Sequence, residues 1–264
     1  MSRRIRSRAL VVALQVGILV ALIGLWEVAS HNRWIDPFFF SRPSDIWAAT
    51  VRWAREGTIA KNLGITLYEC VASFVLGVAG GLVVGFLLGR SDFWSRVFNP
   101  YIQVLNAIPR LILTPIFILI FGLGANSKIG LGVSLVFFIV FFNAYTGVRE
   151  VDRNVLNNAR LLGASRWQLT WHVYLPSAMS WILTSLHTSV GFAIAGAVVG
   201  EYIGSSQGIG YLISEASGNF HADQVYAGML VLGVLVIVVE VGVTWLERSL
   251  VRWKPAAAGE GSVA

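Results

Sequence analysis

Covalent chemistry needs nucleophiles, metal ligands or phosphate cradles at set spacings, and the reactive side chains of this chain are too scattered to supply them. His31, His172 and His221 stand far apart without metal-ligand spacing, and neither a His-Glu-x-x-His run nor a serine-nucleophile motif occurs. The only lysines are Lys61, Lys128 and Lys254, and none follows a glycine. A phosphate-cradling Gly-x-x-x-x-Gly-Lys-[Ser/Thr] loop is therefore absent, and the chain is not expected to bind ATP by that device. The single cysteine, Cys70, excludes an intrachain disulfide framework and reads as a small buried hydrophobe. No catalytic residue, resident metal or cofactor is expected.

The other ionisable and hydroxyl side chains of interest lie inside apolar stretches, where polar groups are costly and therefore informative. Glu201 either gates a path or caps an interface, whereas Glu69 and Glu240 read as packing or snorkelling acids. Pro109 and Pro115 each remove a helical hydrogen bond, with Asn106 and Thr114 near enough to satisfy the freed groups. A bent helix beside a water-filled path follows. Arg110 between the prolines costs about 2.5–3.5 kcal/mol at mid-membrane unless it faces a polar cavity or snorkels to the inner surface. Thr184, Ser185, His187, Thr188 and Ser189 make another stretch partly polar, as a cavity wall or through interhelical hydrogen bonds. Asn106, Pro109, Thr114, Ser185, Thr188 and Glu201 are the candidate path residues.

Composition says what must position them. Of 264 residues, 56% are apolar and only 13% charged, against roughly 25% charged in an ordinary soluble domain, and mean hydropathy is +0.69. Such a chain cannot cover itself with a soluble surface, and its apolar stretches reach the roughly 20 residues that cross a bilayer. The stretches run over 9–29, 64–88, 101–123, 129–147, 178–200 and 225–246, predicting an all-α polytopic protein of six transmembrane helices. The first is longer than a signal-peptide core and lacks a good cleavage site, so it reads as an uncleaved span. With the N-terminus inside, residues 1–8, 90–96, 149–166 and 248–254 hold thirteen Lys and Arg, and the outer segments hold six. The positive-inside rule places both termini in the cytoplasm. The net charge of +6 thus reports topology rather than nucleic-acid binding.

Smaller elements follow from local pattern. Pro43-Ser44-Asp45 opens a short surface helix capped by Ser44, with Ile46, Trp47, Thr50, Trp53 and Ala54 on its apolar face. Gly77, Gly81, Gly85 and Gly89 form a side-chain-free stripe, read as packing inside the bundle in preference to a subunit interface. Residues 1–254 form one permease domain, and 255–264 have nothing to bury and are expected to be disordered.

The loop 148–177 carries most information. Val155, Leu156, Ala159 and Leu162 fall at helical spacing over 154–162, and Gly163 stops the helix. Ser165 and Gln168 then match a capping box that starts a second helix running to Leu175-Pro176. Two short amphipathic helices between spans make a helix-in-groove docking element for a cytosolic partner. A DNA-reading helix-turn-helix shares the outline but would not be tethered to membrane spans at both ends.

This loop resembles the signature of permease subunits of ATP-binding-cassette importers: Glu-Ala-Ala, three residues, Gly, nine residues, Ile, any residue, Leu-Pro. Here it reads Asn157-Asn158-Ala159, Gly163, Val173-Tyr174-Leu175-Pro176, with the spacing intact and three departures at Asn157, Asn158 and Val173. Ala107-Ile108-Pro109, Phe121-Gly122-Leu123-Gly124, Leu162-Gly163-Ala164-Ser165, Glu201 and Gly208-Ile209-Gly210-Tyr211 extend the resemblance to the nitrate/sulfonate/taurine/bicarbonate branch. The resemblance implies a multi-pass bacterial inner-membrane permease that moves a small anionic, aromatic or heterocyclic solute into the cytoplasm and is not itself an enzyme. It implies two cytosolic ATPase subunits, an external solute-binding protein and a second permease subunit, with a homodimer expected. Ala159, Gly163, Ala164, Ser165, Leu175 and Pro176 become the expected ATPase-coupling residues. A secondary transporter is the rival reading; it would need an ion-coupling site that the few isolated acids do not compose.

Overall fold

The computed structural model describes residues 2–250, with side chains over 10–245. The tail 255–264 expected to be disordered, together with Arg252 and Lys254, lies outside the described residues. A chain with lipid around it must satisfy its backbone groups within each segment, and every regular element among the described residues is helical. In order they are α1 (Ser2–His31), α2 (Pro37–Phe40), α3 (Pro43–Arg55), α4 (Thr58–Gly89), α5 (Asp92–Ala107) and α6 (Thr114–Phe121). Then follow α7 (Ala125–Arg149), α8 (Arg153–Leu161), α9 (Arg166–Leu169), α10 (Leu175–Gly204), α11 (Ile209–Gly218) and α12 (Ala222–Leu250).

The glycine stripe builds the centre. Gly77 faces Val136, Gly81 faces Val140, Gly85 faces Ala144 and Gly89 faces Val148, so α4 and α7 touch backbone to backbone along four turns. A Cβ at Gly85 would stand 2.6 Å from the Phe141 carbonyl oxygen, which no side chain tolerates. Such close approach gains van der Waals contact that lipid cannot replace. The stripe is therefore packing within the subunit.

The same register fixes topology. Residue numbers rise together along the α4–α7 seam, so the two helices run parallel, and the chain between Gly89 and Ala125 must return to the opposite side. It does so as a broken crossing: α5 and the Arg110–Phe121 segment meet at 81° around Ile108-Pro109, with one 3₁₀ turn over Arg110–Leu113. The bent third span predicted from Pro109 is thus two half-helices. Against α7, α10 runs antiparallel, with Gly147 on Ala178, Gly196 on Gly132 and Gly200 on Lys128. The remaining long helices, α1, α4 and α12, are each apolar enough to cross, making six crossings with the broken pair counted as one.

Two local expectations need correction. Ser44 does not cap α3; Arg42 holds that position with no side-chain bond, and Ser44 donates its N–H and hydroxyl to Glu27 of α1 at 3.0 and 2.8 Å. Pro43 already fills the first helical position, so the start needs no local cap. Nor does α3 simply lie on a surface: its Ile46, Ala49 and Trp53 form one core with Ile209, Leu212 and Ile213 of α11 and Ala227 and Val231 of α12. Trp47, expected on the apolar face, is exposed.

Candidate coupling surface and transport path

In the loop between α7 and α10, Asp152 caps α8 by accepting the Asn154 N–H at 2.7 Å. Gly163 has φ +81°, the left-handed stop that glycine adopts without strain. Ser165 and Gln168 then close the expected capping box around α9. The second loop helix does not end at Pro176. A π turn over Thr170–Tyr174, closed by the Leu175 N–H on the Thr170 carbonyl, joins α9 to α10 without a break. Pro176 lacks an N–H, and a proline in the first turn of α10 is tolerated because the local ladder has widened there.

The loop has two faces. Ala159, Ala164 and Leu175 turn inward against Val148, Val151, Leu169 and Ala178, fastening the arm to its own bundle. Gly163, Ser165 and Pro176 are exposed. The outward face that motif spacing missed is Leu161, Leu162 and Trp167, exposed by 85%, 89% and 70%. Only the hydropathy of Leu161-Leu162 beside Gly163 hinted at it.

At the end of the bundle opposite this loop lies a buried polar knot. The Lys128 ammonium donates to the carbonyls of Leu123, Gly124 and Gly204, using all three protons. Glu201 accepts from the Thr66 hydroxyl and the Gly210 N–H, each at 2.7 Å, while Asn62 accepts the Gly208 N–H at 2.8 Å. Glu69 lies beside them with one carboxylate oxygen unpartnered. These contacts tie α4, α7, α10 and α11 together. Gly208 has φ +102°, and a Cβ there would collide with the Glu201 carboxylate, so the turn admits only glycine.

The six candidate path residues separate. Glu201 is fully buried in the knot, Thr114 is buried with its hydroxyl on the Leu111 carbonyl, and Ser185 is buried on the Ile182 carbonyl. These three face the interior of their own subunit, with their hydroxyls and carboxylate turned onto neighbouring groups. Asn106, Pro109 and Thr188 are exposed. Asn106 accepts a hydrogen bond from Arg110 at 2.7 Å, and the Arg110 guanidinium lies 4.2 Å over the Phe138 ring. Glu240 pairs with His187 at 3.3 Å between α12 and α10, as expected of a packing acid.

A bundle of up to six crossings, one of them broken in mid-depth, with a two-helix arm between α7 and α10, has the architecture of a membrane permease. Residues 77–253 match the model of the binding-protein-dependent transport system inner membrane component, and the chain belongs to that family. It is a multi-pass inner-membrane permease of an ATP-binding-cassette importer. SsuC of Bacillus subtilis (strain 168), a permease named for aliphatic sulfonates, is 33% identical over 90% of this chain and 86% of its own. TauC of Escherichia coli (strain K12), a taurine transport system permease protein, is 29% identical over 96% and 94%. The fold also matches a chain of the MetNI methionine ABC transporter in an inward facing conformation, with TM-score 0.59 and 17% identity over 76% of this chain and 97% of that one.

Proposed function

We propose that this chain, as a pair of identical copies, forms the path through which a sulfonate-type anion enters the cytoplasm. Both termini lie in the cytoplasm, and the α8–α9 arm passes motion from two ATPase subunits, on which all ATP hydrolysis resides. An external binding protein delivers the solute. The observation that carries the coupling role is the outward face of the arm. Leu161, Leu162 and Trp167 lie at the inner end of the bundle, beyond both spans that the arm connects, where an uncovered apolar patch is unfavourable and a partner groove would remove it from water. The relatives named for sulfonates and taurine support an anionic solute.

The test is co-purification of the cognate ATPase with Gly163→Glu and Leu162→Glu variants. Nothing in the subunit lies within 4 Å of a Cβ on Gly163, so only about 1 kcal/mol of left-handed strain falls on the permease itself. Both variants are expected to insert normally and to lose the ATPase together with solute-stimulated ATP hydrolysis. Ala159→Asp is the contrasting variant: Ala159 packs on the bundle, so its charge is expected to lower permease yield as well. Parental ATPase recovery and turnover in both outward-facing variants would remove the coupling role.

A further inference from the structure

Arg110 is the one arginine held inside the bundle at mid-depth among the described residues, and its environment is built for a group that is not part of the chain. The guanidinium sits over Phe138, one residue past the centre of α7, so either end of that helix is roughly 17–20 Å away at 1.5 Å per residue. Snorkelling cannot cover that distance, which removes the reading of Arg110 as an inner-surface anchor. No carboxylate among the described residues pairs with it; the arginine ion pairs there are Arg52 with Asp223 and Arg149 with Asp92. Of its five N–H donors, Asn106 takes one, and the buried Nε has no partner at all.

The fold keeps this cation in place from three sides. Pro109 breaks the crossing immediately before it, Arg110 itself opens the 3₁₀ turn, and its guanidinium carbon lies 4.2 Å over the Phe138 ring of α7. A planar fork fixed in this way suits bidentate recognition of an oxyanion, for which arginine is better shaped than lysine. Thr188 lies at the same depth on α10, since Gly132 opposes Gly196 and Gly147 opposes Ala178. Its side chain is exposed, as are Asn106 and Pro109.

We infer that Arg110, oriented by Asn106 and Phe138, is the anion-recognition group of the path, taking a compact oxyanion such as a sulfonate as it passes the broken crossing. This rests on the permease reading above, and it makes charge selectivity a property of the membrane subunit as well as of the external binding protein.

The experiment uses the permease–ATPase complex in proteoliposomes, with Cys70→Ala and a reporter cysteine at Ala107→Cys or Leu111→Cys. The probes are 2-sulfonatoethyl methanethiosulfonate, itself a small sulfonate, and its trimethylammonioethyl counterpart, applied with and without ATP. The anionic reagent is expected to react at least about tenfold faster than the cationic one, the factor that a 1.4 kcal/mol preference gives. Arg110→Gln is expected to abolish that ratio and Arg110→Lys to keep much of it, with membrane yield recorded for each. A ratio unchanged in Arg110→Gln overturns the inference, and so does failure of both reagents to reach either cysteine in every nucleotide condition. Loss of ATPase recovery from the parental permease would instead overturn the importer coupling, which is scored separately in the same preparation.

Discussion

Replacing Lys128 by methionine isolates the charge of the polar knot, because methionine keeps most of the buried stem and removes the ammonium. The change leaves the carbonyls of Leu123, Gly124 and Gly204 without their donor and removes the positive charge nearby from Glu201 and Glu69. Leaving a buried acceptor without its donor costs about 1–3 kcal/mol for each group, so three orphaned carbonyls cost at least about 3 kcal/mol together. A chain of this size shifts its melting midpoint by roughly 2–4 °C per kcal/mol, so the expected loss is at least about 6 °C. Cys70, buried and the sole cysteine, supplies the assay: a thiol-reactive dye in detergent reports its exposure on heating. The double variant Lys128→Met/Glu201→Gln is expected to recover part of the loss, because it removes the orphaned charge while a glutamine oxygen can still accept from Thr66 or Gly210. A midpoint within 2 °C of the parent for Lys128→Met would refute the reasoning, as would a double variant whose loss is the plain sum of the two single ones.

The glycine seam makes an equally direct forecast. Gly85→Leu, which drives a side chain into the Phe141 backbone, is expected to cost at least the about 1–3 kcal/mol of ordinary overpacking and to lower the yield of folded permease. Gly64→Leu on the same helix has open space and is expected to leave yield unchanged; equal effects would sink the seam. For topology, in a Cys70→Ala background, a cysteine at Ser206 is expected to react with an impermeant reagent from outside, and one at Ser165 only after the membrane is opened. The reverse pattern would invert the orientation.

What could be read from sequence was what neighbouring residues decide. Gly163 and the Ser165–Gln168 box act over a few positions, and both stand where spacing placed them. The helix that follows was stopped too early in the reading because a proline normally ends one, and the π turn that absorbs Pro176 leaves no residue pattern of its own. Apolar runs marked the crossings, yet α4 begins at Thr58, ahead of the run at 64, because Asn62 and Thr66 are polar residues paid for by the distant turn at 208–210. The knot was invisible for the same reason: Thr66 meets Glu201 across 135 residues, and nothing local records the meeting. Thr114 and Ser185 turn their hydroxyls onto carbonyls of their own segments, which sequence does not record because a hydroxyl in a span looks the same whether it faces a cavity or its own helix.

The broken crossing also bears on how the protein is made. Its halves hold 16 residues in α5 and 12 over Arg110–Phe121, or about 24 and 18 Å at most, and neither reaches across some 30 Å of hydrocarbon. With Arg110 at the junction, neither half is a segment that the insertion machinery would release into lipid by itself. Ser95 of α5 bonds Tyr145 of α7, and Phe117 of α6 covers Gly130 of α7, so both halves find their partners on a helix translated after them. Stable integration of residues 92–121 is therefore expected to depend on α7, so that for this stretch insertion and tertiary assembly are one event.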